Sequence, residues 1–295
     1  MALPDDVRVG CAQLAERATS VRIDLEALGT IEPGPPPALD PDRHFLEGSE
    51  QDVATYVLVL DTINFGSGWW PTLRKRQAAG RPMSGYFTVA SGLTDRFRAH
   101  GPWSTAELRA LRADEVADVL GQPRDHELMA LFAQALRQLG EFLGERSALD
   151  LVAKAGGSAV RLAELLAGGM ALYDDRGFYK RAQIVPSDLA LAGVARFTDL
   201  HRLTIFADNL VPHVLRVDGV LRYHPELAAR VDGGRLLAAG SPMEREIRAC
   251  GVHACELLAG RIGVPPRTLD NWLWNRGQAP PYSRRPAHRT RTVFY

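Results

Sequence analysis

The chain has 295 residues, with 35 basic and 35 acidic side chains and a formal net charge of +0. That balance argues against affinity built on neutralising many backbone phosphates, though not against one small phosphorylated ligand. With 46% hydrophobic and 24% charged residues, it has the composition of a soluble globular chain, and no apolar run reaches membrane-spanning length.

The three cysteines, Cys11, Cys250 and Cys255, are too few and too irregularly placed for a disulfide framework or a zinc site. They read as buried thiols of a reducing compartment. The opening MALPDDVRVG lacks the basic-then-apolar layout of a signal peptide, so a cytoplasmic protein is expected.

Asp5 and Asp6 predict the cap of a first helix over 7–17. The proline-rich stretch TIEPGPPPALDPD, 30–42, reads as a loop. Residues 1–42 are too short to hold a core of their own. They are expected to pack on the body of a single domain, 1–295. Ser49 with Asp52 opens the next helix as a capping box, and Val53, Tyr56, Val57 and Leu60 follow at helical spacing. That helix runs out at Asp61-Thr62-Ile63-Asn64-Phe65, before a loop with Trp69 and Trp70. Acid, amide and aromatics there suit a base-binding shelf. The alternative is core aromatics with Asp61 bonded to backbone. The segment 82–93, around Tyr86 and Phe87, reads as a short strand or a loop.

Ser104 and Glu107 box the helix 106–111. Helical spacing recurs over 116–120, 125–144, 147–155 and 158–166, where core packing explains it. Later starts lie at His224-Pro225-Glu226 and Ser241-Pro242-Met243-Glu244, and a last helix includes Leu269 to Trp274. The basic segment from Arg284 ends in Val293-Phe294-Tyr295, which predicts a tail folded back onto the body. No βαβ alternation, GxGxxG, P-loop, HExxH, CxxC or GxSxG word is present. The fold class is mainly α.

Two polar words stand among apolar residues: Phe178-Tyr179-Lys180-Arg181-Ala182-Gln183 and Phe206-Ala207-Asp208-Asn209. Lys180 is one of only three lysines among 35 basic residues. A lysine and an aspartate in such settings need partners, and each could be the other's. An ordinary internal salt bridge would explain the pair as well.

These words, in this order, resemble the queuosine salvage family, the queuosine 5′-phosphate N-glycosidases. The resemblance runs through Leu60-Asp61-Thr62-Ile63-Asn64-Phe65, FYKRAQI from Phe178, and Thr204-Ile205-Phe206-Ala207-Asp208. It continues in Glu246-Ile247-Arg248 with Cys250, Leu273-Trp274, and His288-Arg289-Thr290-Arg291 before a terminal aromatic. It departs at Asn209, where the family usually has Tyr, and at Asn275, usually Asp.

The resemblance implies a single helical domain like that of helix-hairpin-helix DNA glycosylases. It implies hydrolysis of queuosine 5′-monophosphate to queuine and ribose 5-phosphate, with Asp208 as catalytic aspartate and Lys180 as active-site lysine. An oxocarbenium-like C1′ needs such a fixed carboxylate. The cationic arm of the base suits Asp61 or Asp270, and the phosphate suits His288, Arg291 or Arg181. Further substrate contacts are expected from Asn64, Phe65, Tyr86, Asn209, Trp274 and Tyr295. The expected partner is that small molecule alone, handled by a monomer without metal, cofactor, membrane or stable nucleic-acid complex. The competing functions are a glycosylase acting on polymeric DNA or RNA, and a helical binding module without catalysis.

Overall fold

The computed structural model describes residues 1–32 and 34–295, and it is mainly helical. The N-terminal part contains α1 (Leu3–Glu16), β1 (Val21–Ile23) and α2 (Leu25–Leu28). Then come α3 (Glu50–Thr62), a two-stranded ribbon β2 (Gln77–Ala78) and β3 (Arg81–Pro82), and α4 (Gly85–His100). A run of helices follows: α5 (Thr105–Ala110), α6 (Ala113–Leu120), α7 (Glu127–Leu143), α8 (Ala148–Lys154) and α9 (Ala159–Gly169). The last third holds α10 (Lys180–Leu191), α11 (Leu210–Val217), β4 (Leu221–Tyr223), α12 (Pro225–Asp232), α13 (Pro242–Ile262) and α14 (Pro266–Gly277). No described helix is long and apolar enough to cross a membrane.

Helix α3 is buried over ten consecutive residues, from Val53 to Thr62. A helix apolar on all sides belongs in the middle of a bundle, and α3 packs against α4, α7, α8 and α10. Its start is the expected box: Asp52 N donates to Ser49 Oγ at 3.1 Å and Ser49 N to Asp52 Oδ2 at 3.3 Å. The N-terminal segment is tied to the last third of the chain. Helix α1 lies on α13, and β1 pairs antiparallel with β4, Val21 opposite Tyr223. Glu246 of α13 accepts the backbone N–H groups of Thr19 and Ser20, at 3.1 and 2.6 Å.

Three sequence expectations need correction or bounds. Helix α1 starts at Leu3 with Pro4 in its first turn and has no side-chain cap. Asp5 and Asp6 therefore sit inside the first turn, where they favour the positive helix end instead of capping it. The segment 82–93 is neither strand nor loop beyond Pro82: Ser84 caps α4 by accepting the N–H of Phe87 at 3.2 Å. Gly85 is required there, because a Cβ would stand 2.4 Å from the Trp70 ring. In the proline-rich stretch, Pro33 lies outside the described residues, and 34–42 forms no helix or strand.

The C-terminal tail does fold back. Tyr295 is 2% exposed, and its carbonyl accepts the N–H of Gly66 at 3.0 Å. Any side chain at Gly68 would meet the Thr290 carbonyl, since a Cβ would lie 2.5 Å from that oxygen.

Candidate active site

The site begins at the first residue of α10. Tyr179 precedes it in the left-handed region, at φ 51, a conformation that costs a non-glycine residue energy and is tolerated where surroundings enforce it. The enforcing group is Asp175, whose carbonyl accepts the N–H of Phe178 at 3.0 Å and of Tyr179 at 2.7 Å. This turn delivers Lys180 into the interior, 4% exposed. Its Nζ donates to two oxygens of Asn64, the carbonyl at 2.7 Å and Oδ1 at 2.9 Å. Asn64 stands just beyond the C-terminus of α3. Burial lowers the Lys180 pKa to about 8, against the opposing charge of Asp208.

Residues 203–208 run extended without joining a sheet. Side chains take the place of a ladder. Gln183 Oε1 accepts Thr204 N at 3.0 Å, Asp270 Oδ1 accepts Phe206 N at 2.8 Å, and Arg248 Nε donates to the Ala207 carbonyl at 3.0 Å. This strut ends at Asp208, 6% exposed. Its Oδ1 accepts the first two N–H groups of α11, from Leu210 at 2.8 Å and Val211 at 3.0 Å. Among the described residues Oδ2 accepts no hydrogen bond. Burial raises the carboxyl above its usual range, opposed first by Lys180 and then by the two amides. Lys180 and Asp208 form no direct ion pair. They share one cleft and act on each other through it.

That cleft has about 840 Å³ of empty space, open solvent at its mouth included. Helix α10 supplies Lys180, Ile184, Ser187, Asp188 and Leu191, a single face at spacings of four and three. Helix α14 supplies Arg267, Asp270, Asn271, Trp274 and Asn275 in the same way. An aromatic wall joins them. Tyr86 and Phe87 meet the Trp274 ring edge-on, with centroids 5.2 and 5.4 Å apart, and Trp70 stands alongside. His44 Nδ1 donates to the Asp40 carbonyl at 2.8 Å, so its Nε2 accepts from the Tyr86 hydroxyl at 3.0 Å and fixes that ring. Burial lowers the His44 pKa, which keeps this tautomer neutral.

Of the expected site residues, Asn64, Tyr86, Lys180, Asp208, Asp270 and Trp274 line the cleft. The others do not. Asp61 is 0% exposed, and neither of its oxygens accepts a hydrogen bond from the described residues. Phe65 is a core side chain, edge-on to Phe132 at 5.0 Å. Arg181 is spent on structure: it donates to the carbonyls of Thr62, Leu172 and Val293 and stacks between Phe65 and Tyr173. Among the described residues the Asn209 side chain donates to the His288 carbonyl alone, at 3.5 Å. His288 is 1% exposed, and burial lowers its pKa to about 3, so it is an uncharged core group. Arg291 is half-exposed and pairs with Glu127 at 3.3 Å. Tyr295 packs on Arg248, 4.4 Å from its ring. The tail thus braces the body from behind and brings no cation to the cleft.

Asp40, Asp188 and Arg267 are the charged cleft residues that sequence reasoning missed. Asp188 had a signal, standing eight residues after Lys180 and hence on the same helix face. Arg267 had none, because one arginine among many carries no mark of its position.

A family model described as "Queuosine salvage protein" matches residues 44–295. A Sphaerobacter thermophilus protein named queuosine 5′-phosphate N-glycosylase/hydrolase is 36% identical, covering 96% of this chain and 95% of its own. Proteins of the same name from Dictyostelium discoideum and Mus musculus are 31% and 28% identical, over 82% and 84% of this chain and 78% and 83% of theirs. Five of the six motif words also meet in one cleft or its supports, and with these matches the chain belongs to the queuosine salvage family.

Proposed function

We propose that the chain is an N-glycosidase that hydrolyses queuosine 5′-monophosphate to queuine and ribose 5-phosphate. The names of its relatives support this reading. The observation that carries it is the state of Asp208: one oxygen is held by two amides at a helix N-terminus, and the other is unbonded in a cleft beside a buried lysine. Cleaving the bond from C1′ to the base nitrogen moves its electron pair onto the base and leaves positive charge on the sugar. A preorganised carboxylate in a low-dielectric site stabilises that charge far better than water does. Lys180 holds Asp208 towards its ionised form, and Asn64 orients Lys180. Water adds to C1′, and its second proton goes to the departing base.

The aromatic wall of Tyr86, Phe87 and Trp274 is the base platform in place of the helix end at Asp61. Arg267 is the phosphate ligand, since among the described residues it is the single guanidinium lining the cleft and it makes no hydrogen bond or salt bridge. The body is a single domain similar to helix-hairpin-helix DNA glycosylases, as the family resemblance implies, acting as a cytoplasmic monomer on a small molecule. The test is incubation with queuosine 5′-monophosphate followed by chromatography. Free queuine released by the wild type but not by Asp208→Asn is expected. Intact substrate after wild-type incubation would refute the reading.

A further inference from the structure

Four carboxylates line the cleft, from Asp40, Asp188, Asp208 and Asp270, against two cations, Lys180 and Arg267. Three of the four have partners. Asp40 pairs with Arg43 at 3.1 Å, Asp208 holds two amides of α11, and Asp270 holds the N–H of Phe206. Asp188 accepts no hydrogen bond from the described residues and forms no salt bridge. Asp188 is half-buried and its carboxyl opens on the cleft, so it is available to a ligand without displacing a protein partner. A phosphorylated ligand with a neutral base would bring no cation to the carboxyls of Asp188, Asp208 and Asp270, which burial holds towards their protonated forms. A ligand carrying its own cation would.

We propose that Asp188 binds the cationic amine of the substrate's base arm, and so selects for bases that carry one. The assignment rests on the nucleotide reading above. Position favours the arm over the Watson–Crick edge of the base. Asp188 lies eight residues from Lys180 on one face of α10, a backbone rise of about 12 Å along the axis, so the two carry different parts of the cleft. Its charged neighbours are Lys180 first and then Arg267, both within electrostatic reach and neither in ion-pair contact. In an anti nucleotide, a substituent on carbon 7 of a deazapurine projects from the edge that faces the 5′-phosphate. The Watson–Crick edge points the other way. An acid for the arm should therefore neighbour the cation for the phosphate, as Asp188 neighbours Arg267. Burial raises the Asp188 carboxyl to about 7, and an ammonium at that position would favour its ionised form.

The test compares queuosine 5′-monophosphate with 7-deazaguanosine 5′-monophosphate, which lacks the arm, in wild type and Asp188→Asn. A charge-assisted hydrogen bond accounts for roughly tenfold or more in kcat/KM. The variant should lose that factor on the first substrate and keep wild-type kcat/KM on the second. The ratio of the two values is independent of the fraction of folded enzyme, so misfolding cannot imitate the result. Equal losses on both substrates would assign Asp188 to the shared base or to the chemistry, and no loss on either would leave it without a role. Both results overturn the proposal. If the wild type hydrolyses neither nucleotide, the reaction reading falls by itself. Asp188 is then judged by equilibrium binding: Asp188→Asn should weaken queuine roughly tenfold and leave 7-deazaguanine unchanged, and any other pattern overturns the proposal.

Discussion

Arg248 grips Asp175 through two hydrogen bonds, Nη1 to Oδ1 at 3.1 Å and Nη2 to Oδ2 at 2.5 Å, with both side chains under 7% exposed. The same guanidinium gives Nε to the Ala207 carbonyl. Asp175 shapes the turn into Lys180, and Ala207 immediately precedes Asp208. One arginine of α13 therefore fixes the spacing of the two proposed catalytic residues, which do not touch each other.

Breaking this pair should damage stability first. Removing one member of a buried bidentate pair leaves an uncompensated charge and costs about 3–5 kcal/mol. Arg248→Met should show a loss of that size in urea unfolding. Asp175→Asn combined with Arg248→Met should cost less than the sum of the two singles, because the second change removes the orphaned partner. Strict additivity would mean that the two residues are not energetically coupled.

Asp208→Asn should separate fold from chemistry. Asparagine keeps an Oδ1 for the amides of Leu210 and Val211, so the melting temperature should stay near that of the wild type. The full negative charge facing C1′ disappears, and kcat should fall by about 10²–10³-fold or more. Turnover within a few-fold of wild type would remove Asp208 from the proposed role.

For Lys180, activity and stability should move in opposite directions with pH. Its pKa in the fold is about 8, below the 10.5 of free lysine. Between those values the unfolded chain binds more protons, so this residue's share of stability rises with pH across that window. The charge that supports Asp208 is lost over the same range. The value of kcat/KM for the free enzyme should show a falling limb with a midpoint near 8. Lys180→Arg should lose that limb, since a guanidinium stays protonated, and should also lose much of its activity near neutrality. A planar fork cannot reproduce a point charge that bonds both Asn64 oxygens within 3 Å. A limb that persists in the Arg variant would belong to another group.

Capping signals made several helix starts legible: Ser49, Ser104 and Ser241 each cap the helix expected after them. Helix α4 was obscured because Gly and Ser punctuate it, and the reason for Gly85 is a tryptophan fifteen residues upstream. The words around Lys180 and Asp208 marked the centre of the cleft, since charged residues in apolar runs must be satisfied somewhere. The tail was legible in its folding back but not in its purpose. His288 and Arg291 read as cations in sequence, yet burial neutralises one and Glu127 occupies the other. Whether a basic residue meets ligand or protein depends on tertiary neighbours.

Asp61 gives a stability prediction with a definite sign. Burial raises its carboxyl well above 3.8, and the nearby charge of Asp188 adds to the effect. The folded state thus holds the proton more tightly than the unfolded one, so this residue's contribution to stability declines as pH rises above the unfolded pKa. Asp61→Asn removes the penalty. Its stability gain over wild type should be larger at about pH 8 than at about pH 5, as judged by urea midpoints. A gain independent of pH would mean that Asp61 titrates normally.

The phosphate contact separates the cleft from the tail. Arg267 lines the cleft from α14 and has no hydrogen-bond or ion-pair partner among the described residues, whereas His288 and Arg291 lie outside it. Binding energy from a non-reacting phosphate can position the ribose over Asp208, so its loss should lower kcat as well as raise KM. In Arg267→Met, the preference for queuosine 5′-monophosphate over the nucleoside should shrink by roughly ten- to hundredfold. Arg291→Ala should leave that preference unchanged and cost only a surface ion pair. Deleting 287–295 would not test the point, because it strips Arg181 of the Val293 carbonyl and Gly66 of the Tyr295 carbonyl and so loosens the body. A preference that survives Arg267→Met but collapses in Arg291→Ala would place the phosphate at the tail after all.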